Sequence, residues 1–170
     1  MKTSAFLALA MACLLAGGLA EAHLYLLDGL DGWLASLCFD EDTVYAPGYS
    51  DSAFRSVYPG MKESDLLDRL QAPLGENWTY RFLSTPGKMN EVVCFLGDEV
   101  THVYSQDQHL GMLAKVSIGM RKRDVLGLVG EPLEKALGYS ETQHDRSYHV
   151  RIVRLSKGIV VRRESSFYVD

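Results

Sequence analysis

The chain has 170 residues, a formal net charge of −5 and an apolar content of 47%. This length accommodates one domain or two small ones. The balance of apolar and charged residues is typical of a folded globular protein and excludes a disordered chain.

The first segment predicts export. Lys2 precedes an apolar run over residues 5–19, and Ala20-Glu21-Ala22 has the small-x-small form of a signal-peptidase site. We therefore expect residues 1–22 to be removed as a signal peptide. The run is shorter than the roughly 20 apolar residues that cross a bilayer, and no later segment is long or apolar enough. The mature protein is expected to be periplasmic or secreted.

The cysteines bear on the same question. Cys13 lies inside the apolar run without the upstream leucine or downstream polar tether of a lipid-attachment site, so a lipoprotein is the less favoured interpretation. Cys38 and Cys94 remain in the mature chain, where an oxidising compartment permits one disulfide. The sequence leaves open whether these two form a disulfide or are buried thiols.

Residues 23–49 form the first region of the mature chain. The stretch from Trp33 to Tyr45 predicts a strand pair. Within it, Cys38-Phe39 matches Cys94-Phe95, so the region is a candidate partial repeat that covers a sheet edge.

The rest of the chain is an internal repeat, with one copy over residues 50–108 and the other over 109–170. An ungapped shift of 59 positions aligns nine identical residues among the 49 positions from 57 to 105. In the first copy the identical residues are Val57, Gly60, Met61, Asp65, Leu67, Pro73, Leu74, Tyr80 and Leu96. The same shift places Val93 on Ile152. Such self-similarity indicates a duplicated structural unit.

Each copy is predicted to open with two short helices joined by a turn. The turn contains Gly60-Met61 in the first copy and Gly119-Met120 in the second, because glycine adopts positive φ cheaply. The second helix carries its apolar residues on one face and ends before a proline. Gly130 supplies the helix-ending residue in the second copy, whereas Gln71 stands at the equivalent position of the first, where we expect a weaker cap.

Strands follow the helices, because the apolar period changes from 3.6 to 2. The alternating apolar residues are Trp78, Tyr80 and Phe82 in the first copy and Tyr148, Val150 and Ile152 in the second. The predicted fold class is α+β: two tandem modules, each a helix-turn-helix followed by three antiparallel strands. Open sheet edges favour pairing between the modules, which gives one continuous sheet with helices on one face.

The segment from Val116 to Pro132, VSIGMRKRDVLGLVGEP, resembles the opening motif of the SmpA/OmlA family of outer-membrane assembly lipoproteins. Tandem duplication of this module resembles the fold of the β-lactamase inhibitor protein, in which two units share a sheet. The resemblance covers about 110 residues. It implies an envelope or secreted protein that binds another protein and has no active site.

Candidate binding residues follow from the strand alternation. The apolar rows are expected to pack on the helices. The opposite row is then basic and faces a partner, with the candidates Arg81, His149, Arg151 and Arg162. The alternative is an aromatic binding face that includes Trp78 and Tyr80, since aromatic residues are enriched in binding hot spots.

Charge is divided unevenly along the chain. Residues 23–111 contain 14 acidic and five basic residues, whereas residues 112–170 contain seven acidic and 11 basic residues. The two halves are thus complementary, within one molecule or between molecules, and the sequence leaves the oligomeric state open. The basic half favours an anionic partner, either an acidic protein or lipid headgroups in peripheral membrane association. An exported acidic protein is not expected to bind nucleic acid.

The histidines do not predict catalysis. His102, His109, His144 and His149 lack the spacing of metal ligands, so we expect no metal, no cofactor and no enzyme activity. The favoured function is a protein-binding module that serves as an assembly accessory or an inhibitor. The alternative is a small-ligand-binding or hydrolytic domain that uses the cleft between the modules.

Overall fold

A computed structural model describes residues 42–82, 90–105, 111–143 and 147–169. The predicted signal peptide, Cys13, Cys38 and most of the predicted N-terminal strand pair lie outside these residues. We refer below to residues 42–105 as the first half and to residues 111–169 as the second half.

The described chain contains three α-helices and one short 3-10 helix, together with eight strands. The helices are α1 (Asp51–Arg55), α2 (Glu63–Leu70) and α3 (Lys122–Val129), and the 3-10 helix spans Met112–Lys115. The strands are β1 (Thr43–Tyr45), β2 (Gly75–Arg81), β3 (Glu91–Leu96), β4 (Glu99–Tyr104), β5 (Glu134–Gly138), β6 (Ser140–Thr142), β7 (Ser147–Ser156) and β8 (Ile159–Val169).

The strands form an antiparallel sheet of six strands in the order β4-β3-β2-β5-β7-β8. The first-half and second-half strands meet at the centre, where β2 pairs with β5 and Gly75 lies opposite Gly138. β1 and β6 form a separate two-stranded ribbon. The fold is therefore α+β and dominated by the sheet, which is continuous across both halves as the sequence predicted.

The two Gly-Met turns have matching backbone conformations. Gly60 has φ +96° and Gly119 has φ +86°, values in the left-handed region that favours glycine. α2 and α3 begin two residues after the methionines, and neither helix has a side-chain cap at its first turn. Backbone bonds from the turns to the sheet take the place of such caps.

The first turn is bonded to the hairpin between β7 and β8. The Gly60 amide donates to the Val160 carbonyl at 2.8 Å, and the Val160 amide donates back to the Met61 carbonyl at 2.8 Å. Two residues after Met61, the Glu63 amide donates to the Gly158 carbonyl at 2.9 Å. A turn of the first half is thereby fixed to a hairpin of the second half.

The second turn is bonded to the hairpin between β3 and β4 in the same way. The Gly119 amide donates to the Val100 carbonyl at 2.8 Å, and the Val100 amide donates back to the Met120 carbonyl at 2.8 Å. The Lys122 amide donates to the backbone carbonyl of Asp98 at 3.0 Å. Each pair of helices is therefore held on the strands of the opposite half.

Two apolar cores also join the helices of one half to the strands of the other. The first joins α1 and α2 to the strands of the second half, and it contains Ala46, Phe54, Val57, Met61, Leu66, Leu70, Leu137, Tyr139, Val153, Leu155 and Val160. The second joins β2, β3 and β4 to the 3-10 helix and α3, and it contains Trp78, Tyr80, Val93, Phe95, Val100, Leu113, Val116 and Val125. Each fully buried Leu or Val contributes roughly 1.5–3 kcal/mol of transfer free energy. Neither half has a core made of its own residues alone.

The ungapped shift of 59 positions does not hold over the last strands. Tyr80 and Tyr139, 59 positions apart, are both buried, but the next buried pairs are 60 positions apart, for example Val93 and Val153. The predicted match of Leu96 with Leu155 was therefore wrong, since Leu96 is 58% exposed and Leu155 is 1% exposed.

This slip of one residue changes which face of β7 is buried, because side chains alternate between faces with period two. The prediction that Tyr148, Val150 and Ile152 pack on the helices was wrong. The buried row of β7 is the alternate one, which includes His149 and Arg151.

Candidate functional site: the open face of the sheet

The described helices all pack on one face of the six-stranded sheet. We call the other face the open face. It carries the strand residues that alternate with the two cores. Its residues are Gly75, Asn77, Thr79, Val92, Cys94, Leu96, His102, Tyr104, Glu134, Ala136, Gly138, Tyr148, Val150, Ile152, Arg154, Arg162, Glu164, Ser166 and Tyr168.

The centre of the open face is a depression of about 430 Å³ where the two halves meet. Its floor is low because Gly75 and Gly138 face each other across β2 and β5 and carry no side chains. A Cβ atom on Gly75 would lie 3.0 Å from the Phe95 carbonyl oxygen, a tight contact, so the close approach of the strands favours glycine there. Leu96 and Ile152 supply apolar parts of the wall.

Two aromatic pairs lie on the open face, one on either side of the central strands β2 and β5. On β4, the rings of His102 and Tyr104 are stacked with centroids 6.1 Å apart. On the opposite edge, Tyr148 of β7 and Tyr168 of β8 are stacked with centroids 5.1 Å apart. Leu96 and Tyr104 are 58% and 44% exposed. The open face thus presents apolar and aromatic groups around a low centre.

A row of three polar side chains crosses the first-half side of the depression. Asn77, Cys94 and His102 are direct cross-strand partners on β2, β3 and β4. The spacing along the chain did not reveal this row, because it depends on strand register. Burial raises the pKa of the Cys94 thiol, so the thiol is protonated at neutral pH and is a poor nucleophile.

The described residues contain no group of three or more His, Cys, Asp or Glu side chains that could hold a metal ion. Cys94 forms no disulfide with any residue that the structure describes. Its candidate disulfide partner, Cys38, lies outside the described residues, so that pairing stays a prediction.

The charged end of the open face is an ion-pair network. Arg154 donates to Glu134 at 2.7 Å and to Glu164 at 2.5 Å, and Arg162 also donates to Glu164. Burial opposes ionisation of Glu164, but the bonds from the two arginines outweigh it and lower the pKa of this carboxyl. Arg162 is exposed as predicted, but its charge is compensated, so the expected cationic row is not present.

The other predicted partner-binding residues lie apart from this surface. Arg81 has a side chain 55% exposed and forms an ion pair of 3.6 Å with the buried Glu91. Trp78 and Tyr80 are 2% and 5% exposed, so their expected place in the core is confirmed and the alternative aromatic binding face was wrong for them. Phe82, expected in the same buried row, is instead 54% exposed.

Arg151 is 1% exposed, and its prediction as a partner-binding residue was wrong. Its Nε donates to the Tyr49 hydroxyl at 3.1 Å, and its Nη1 donates to the Ser166 carbonyl at 3.2 Å. The Tyr49 hydroxyl in turn donates to Asp51 Oδ1 at 2.6 Å. These bonds satisfy a buried charge, as burial requires, and they join β7 to the segment that precedes α1.

His149 is 5% exposed, and its prediction as a partner-binding residue was also wrong. Its Nδ1 is hydrogen-bonded to the Tyr45 hydroxyl, and its backbone amide donates to Thr43 Oγ1 at 2.7 Å. The imidazole also meets the Phe167 ring, with centroids 4.9 Å apart. His149 therefore holds β1 in place.

Comparisons of the chain with protein-family models, curated proteins and solved structures found no match. None of the helices in the described part of the chain combines the length and apolar character that a membrane span needs. The open face is therefore the feature of the described chain from which we infer a function.

Proposed function

We propose that this chain is an exported, non-catalytic binding module of the cell envelope that engages a protein partner through the open face. The observation that carries the proposal is the depression at the centre of that face, which is lined by exposed Leu96 and His102, with the exposed Tyr104 ring stacked on His102. Aromatic and aliphatic groups around a recess are the usual anchors of protein interfaces. An assembly accessory or an inhibitor-like binder fits such a surface.

The proposal includes descent of the two halves from one duplicated helix-turn-helix and three-strand module of the SmpA/OmlA kind. The matched triplets of backbone bonds at the two Gly-Met turns support this origin. α2 and α3 also occupy identical ranges under the shift of 59 positions. The duplication doubles the width of the sheet, so that the open face is shared by both halves.

The polar groups of the depression favour binding over catalysis. Asn77, Cys94 and His102 lie in one cross-strand row, and no hydrogen bond links these three side chains within the described chain. A nucleophilic thiol needs a base or a positive charge that lowers its pKa, whereas burial raises the pKa of Cys94. We therefore propose no reaction at this site.

A small apolar ligand is the second candidate, because the depression has the volume of a small-molecule site. Its position between Gly75 and Gly138 is the junction of the two halves. Extraction of the purified protein with organic solvent, followed by mass spectrometry, tests this candidate. A stoichiometric compound that disappears in a Gly138→Leu variant would favour it over a protein partner.

The test of the main proposal uses substitutions matched for exposure. Leu96→Glu and Tyr104→Glu alter the open face, whereas Leu128→Glu alters α3 on the other side of the molecule, where Leu128 is 47% exposed. The chain from residue 23 onward is incubated with envelope and secreted fractions, and captured proteins are quantified by mass spectrometry. Each captured candidate is then purified and titrated against all forms.

We expect both open-face variants to weaken binding of the purified partner at least about tenfold, which corresponds to about 1.4 kcal/mol. Leu128→Glu should leave the affinity unchanged within about twofold. A partner that binds the open-face variants as well as the unsubstituted protein would place the interface elsewhere. The proposal would be contradicted if neither the unsubstituted protein nor any variant captured a partner.

A further inference from the structure

The segment over residues 42–70, which we call the arm, contributes to only one of the two apolar cores. Its residues Phe54, Leu66 and Leu70 pack with Leu137 and Leu155, which lie more than 60 positions later in the chain. The strands that follow the arm directly, β2 to β4, form the other core with α3 and the 3-10 helix. The arm is therefore covalently joined to one group of strands and packed on another.

The polar contacts of the arm are likewise made with the strands of the second half. Glu63 is paired with Lys135 at 3.1 Å, and the Arg163 guanidinium donates to the Phe54 carbonyl at 3.2 Å. The Gly60 amide donates to Val160. In contrast, the ion pair between Lys122 and Glu76, at 2.7 Å, lies wholly within residues 75–129. Every one of these arm contacts would be reproduced if the arm belonged to a second copy of the chain.

The connection between the arm and β2 is short and strained. It consists of four residues, 71–74, between the end of α2 and the start of β2. Gln71 has φ +61° and ψ −160°, a backbone region that is essentially restricted to glycine. Gly130 occupies the equivalent position after α3 with φ +78°, where glycine carries no such strain. Opening the connection would let Gln71 adopt an ordinary extended conformation.

We propose that the arm exchanges between two copies of this chain, with residues 71–74 as the hinge, to form a dimer in which each sheet is covered by the partner's arm. Exchange preserves the arm's packing and hydrogen bonds, and it relieves the strain at Gln71 in both copies. Short strained hinges are a known cause of such exchange. Each resulting unit keeps a complete open face, so the dimer is bivalent.

The protein concentration determines whether the monomer or the exchanged dimer forms. Closure of the arm within one chain has an effective concentration on the order of 1 mM when the linker is short and flexible, and strain in the hinge lowers it. Exchange also requires the arm to detach, so the copies must be mixed while unfolded. We therefore expect the dimer after refolding at high protein concentration.

The experiment refolds an equal mixture of ¹⁴N-labelled and ¹⁵N-labelled protein, as the chain from residue 23 onward, over a range of concentrations and separates the products by size. A carbodiimide then links carboxylates to amines that are already in contact. After digestion, the masses of the linked peptides are measured by mass spectrometry. In an exchanged dimer, half of the links between Glu63 and Lys135 should join a light to a heavy peptide. Links between Glu76 and Lys122 should remain within one label, because both residues lie in the same unit.

Three results would overturn the proposal. The first is a protein that stays monomeric at every concentration tested. The second is a dimer whose Glu63–Lys135 links are unmixed, which means association through outer surfaces. The third is a dimer in which the Glu63–Lys135 and Glu76–Lys122 links are both mixed, which means exchange of a larger part of the chain.

The hinge is tested by Gln71→Gly, which removes the strain without changing the arm. We expect this variant to raise the dissociation constant of the dimer by roughly tenfold, since both hinges of the dimer are affected. Gly119→Ala, which adds strain far from the hinge, should leave the dissociation constant unchanged. An unchanged value for Gln71→Gly would overturn the assigned hinge.

Discussion

The Arg151 guanidinium donates a hydrogen bond to the Tyr49 hydroxyl at 3.1 Å and so connects β7 with the segment before α1. Arg151 is almost fully buried, whereas its charge partner Asp51 is more than half exposed. The arginine thus serves as an internal support for the N-terminal part of the fold. Its burial also explains why it cannot take part in binding at the open face.

Arg151→Met should lower the free energy of unfolding by about 2–3 kcal/mol, because it removes charge-assisted hydrogen bonds and leaves the half-buried Tyr49 hydroxyl with fewer partners. Urea denaturation of both proteins measures the difference. Arg162→Met, at an exposed arginine, is the matched control and should change the value by less than about 0.5 kcal/mol. Equal effects of the two substitutions would contradict the supporting role of Arg151.

Gly119→Ala should destabilise the protein by about 1–2 kcal/mol, because Gly119 has φ +86° and an L-residue is strained there. A Cβ at this position would meet no atom within 4 Å, so the effect is one of backbone conformation and not of packing. Thermal unfolding measures it, with an expected fall in Tm of several degrees.

Gly127→Ala is the control for this substitution. Gly127 lies within α3, and a Cβ there also meets nothing within 4 Å. Alanine should stabilise the helix by about 0.5–1 kcal/mol, so the two substitutions should act in opposite directions. A rise in Tm for Gly119→Ala would show that the turn tolerates a side chain.

Stability should fall on acidification below about pH 4.5, near the ordinary pKa of a glutamate. The folded protein holds the pKa of Glu164 below that value despite the opposing effect of burial, because Arg154 and Arg162 bond to the carboxylate. A depressed folded-state pKa gives stability that is present above the unfolded-state pKa and lost as pH falls through the folded-state value. The free energy of unfolding should therefore decrease in this window.

Glu164→Gln should flatten this acid dependence, as measured by urea denaturation between about pH 6 and pH 3. Glu141→Gln, at an exposed glutamate of β6 in the two-stranded ribbon, serves as the control and should keep the slope of the unsubstituted protein. The role of the network would be refuted by an identical slope in all three proteins.

Cys94 should react slowly with iodoacetamide in the folded protein, since its thiol is half-buried and burial raises its pKa. We expect the rate at pH 8 to be at least about tenfold lower than in urea, measured by mass spectrometry of the peptide that contains Cys94. Equal rates in both conditions would contradict the burial of the thiol. Alkylation that requires prior reduction would instead show that Cys94 is in a disulfide.

The repeat was visible in the sequence because its turns depend on local chemistry. The glycines at positions 60 and 119 each predict a reversal of the chain, since only glycine takes positive φ without strain. The helices that follow are defined by apolar periodicity within eight residues. These features depend on neighbouring residues, so α2, α3, the turns and the α+β class could be derived without tertiary information, whereas the predicted first helix of the second copy is a short 3-10 helix.

The sheet faces were harder to derive, because the strand pattern has period two. The more apolar row of β7 was expected to pack on the helices, and this expectation placed His149 and Arg151 on the wrong face. The alternating residues of this strand do not reveal the error, since Tyr148, Val150 and Ile152 are apolar although they lie on the open face. A gap in the alignment, before Val93 and Val153, would have corrected it.

The sequence by itself determined the helices, the Gly-Met turns and a continuous sheet, because these follow from local conformational preference and apolar period. Only the tertiary structure decided which helices cover which strands, which row of β7 is buried and where the depression of the open face lies. These depend on pairing between residues that are distant in the chain, such as Gly60 with Val160 and Gly75 with Gly138. The free energy of such pairing comes from burial at the contact itself, which no local pattern encodes.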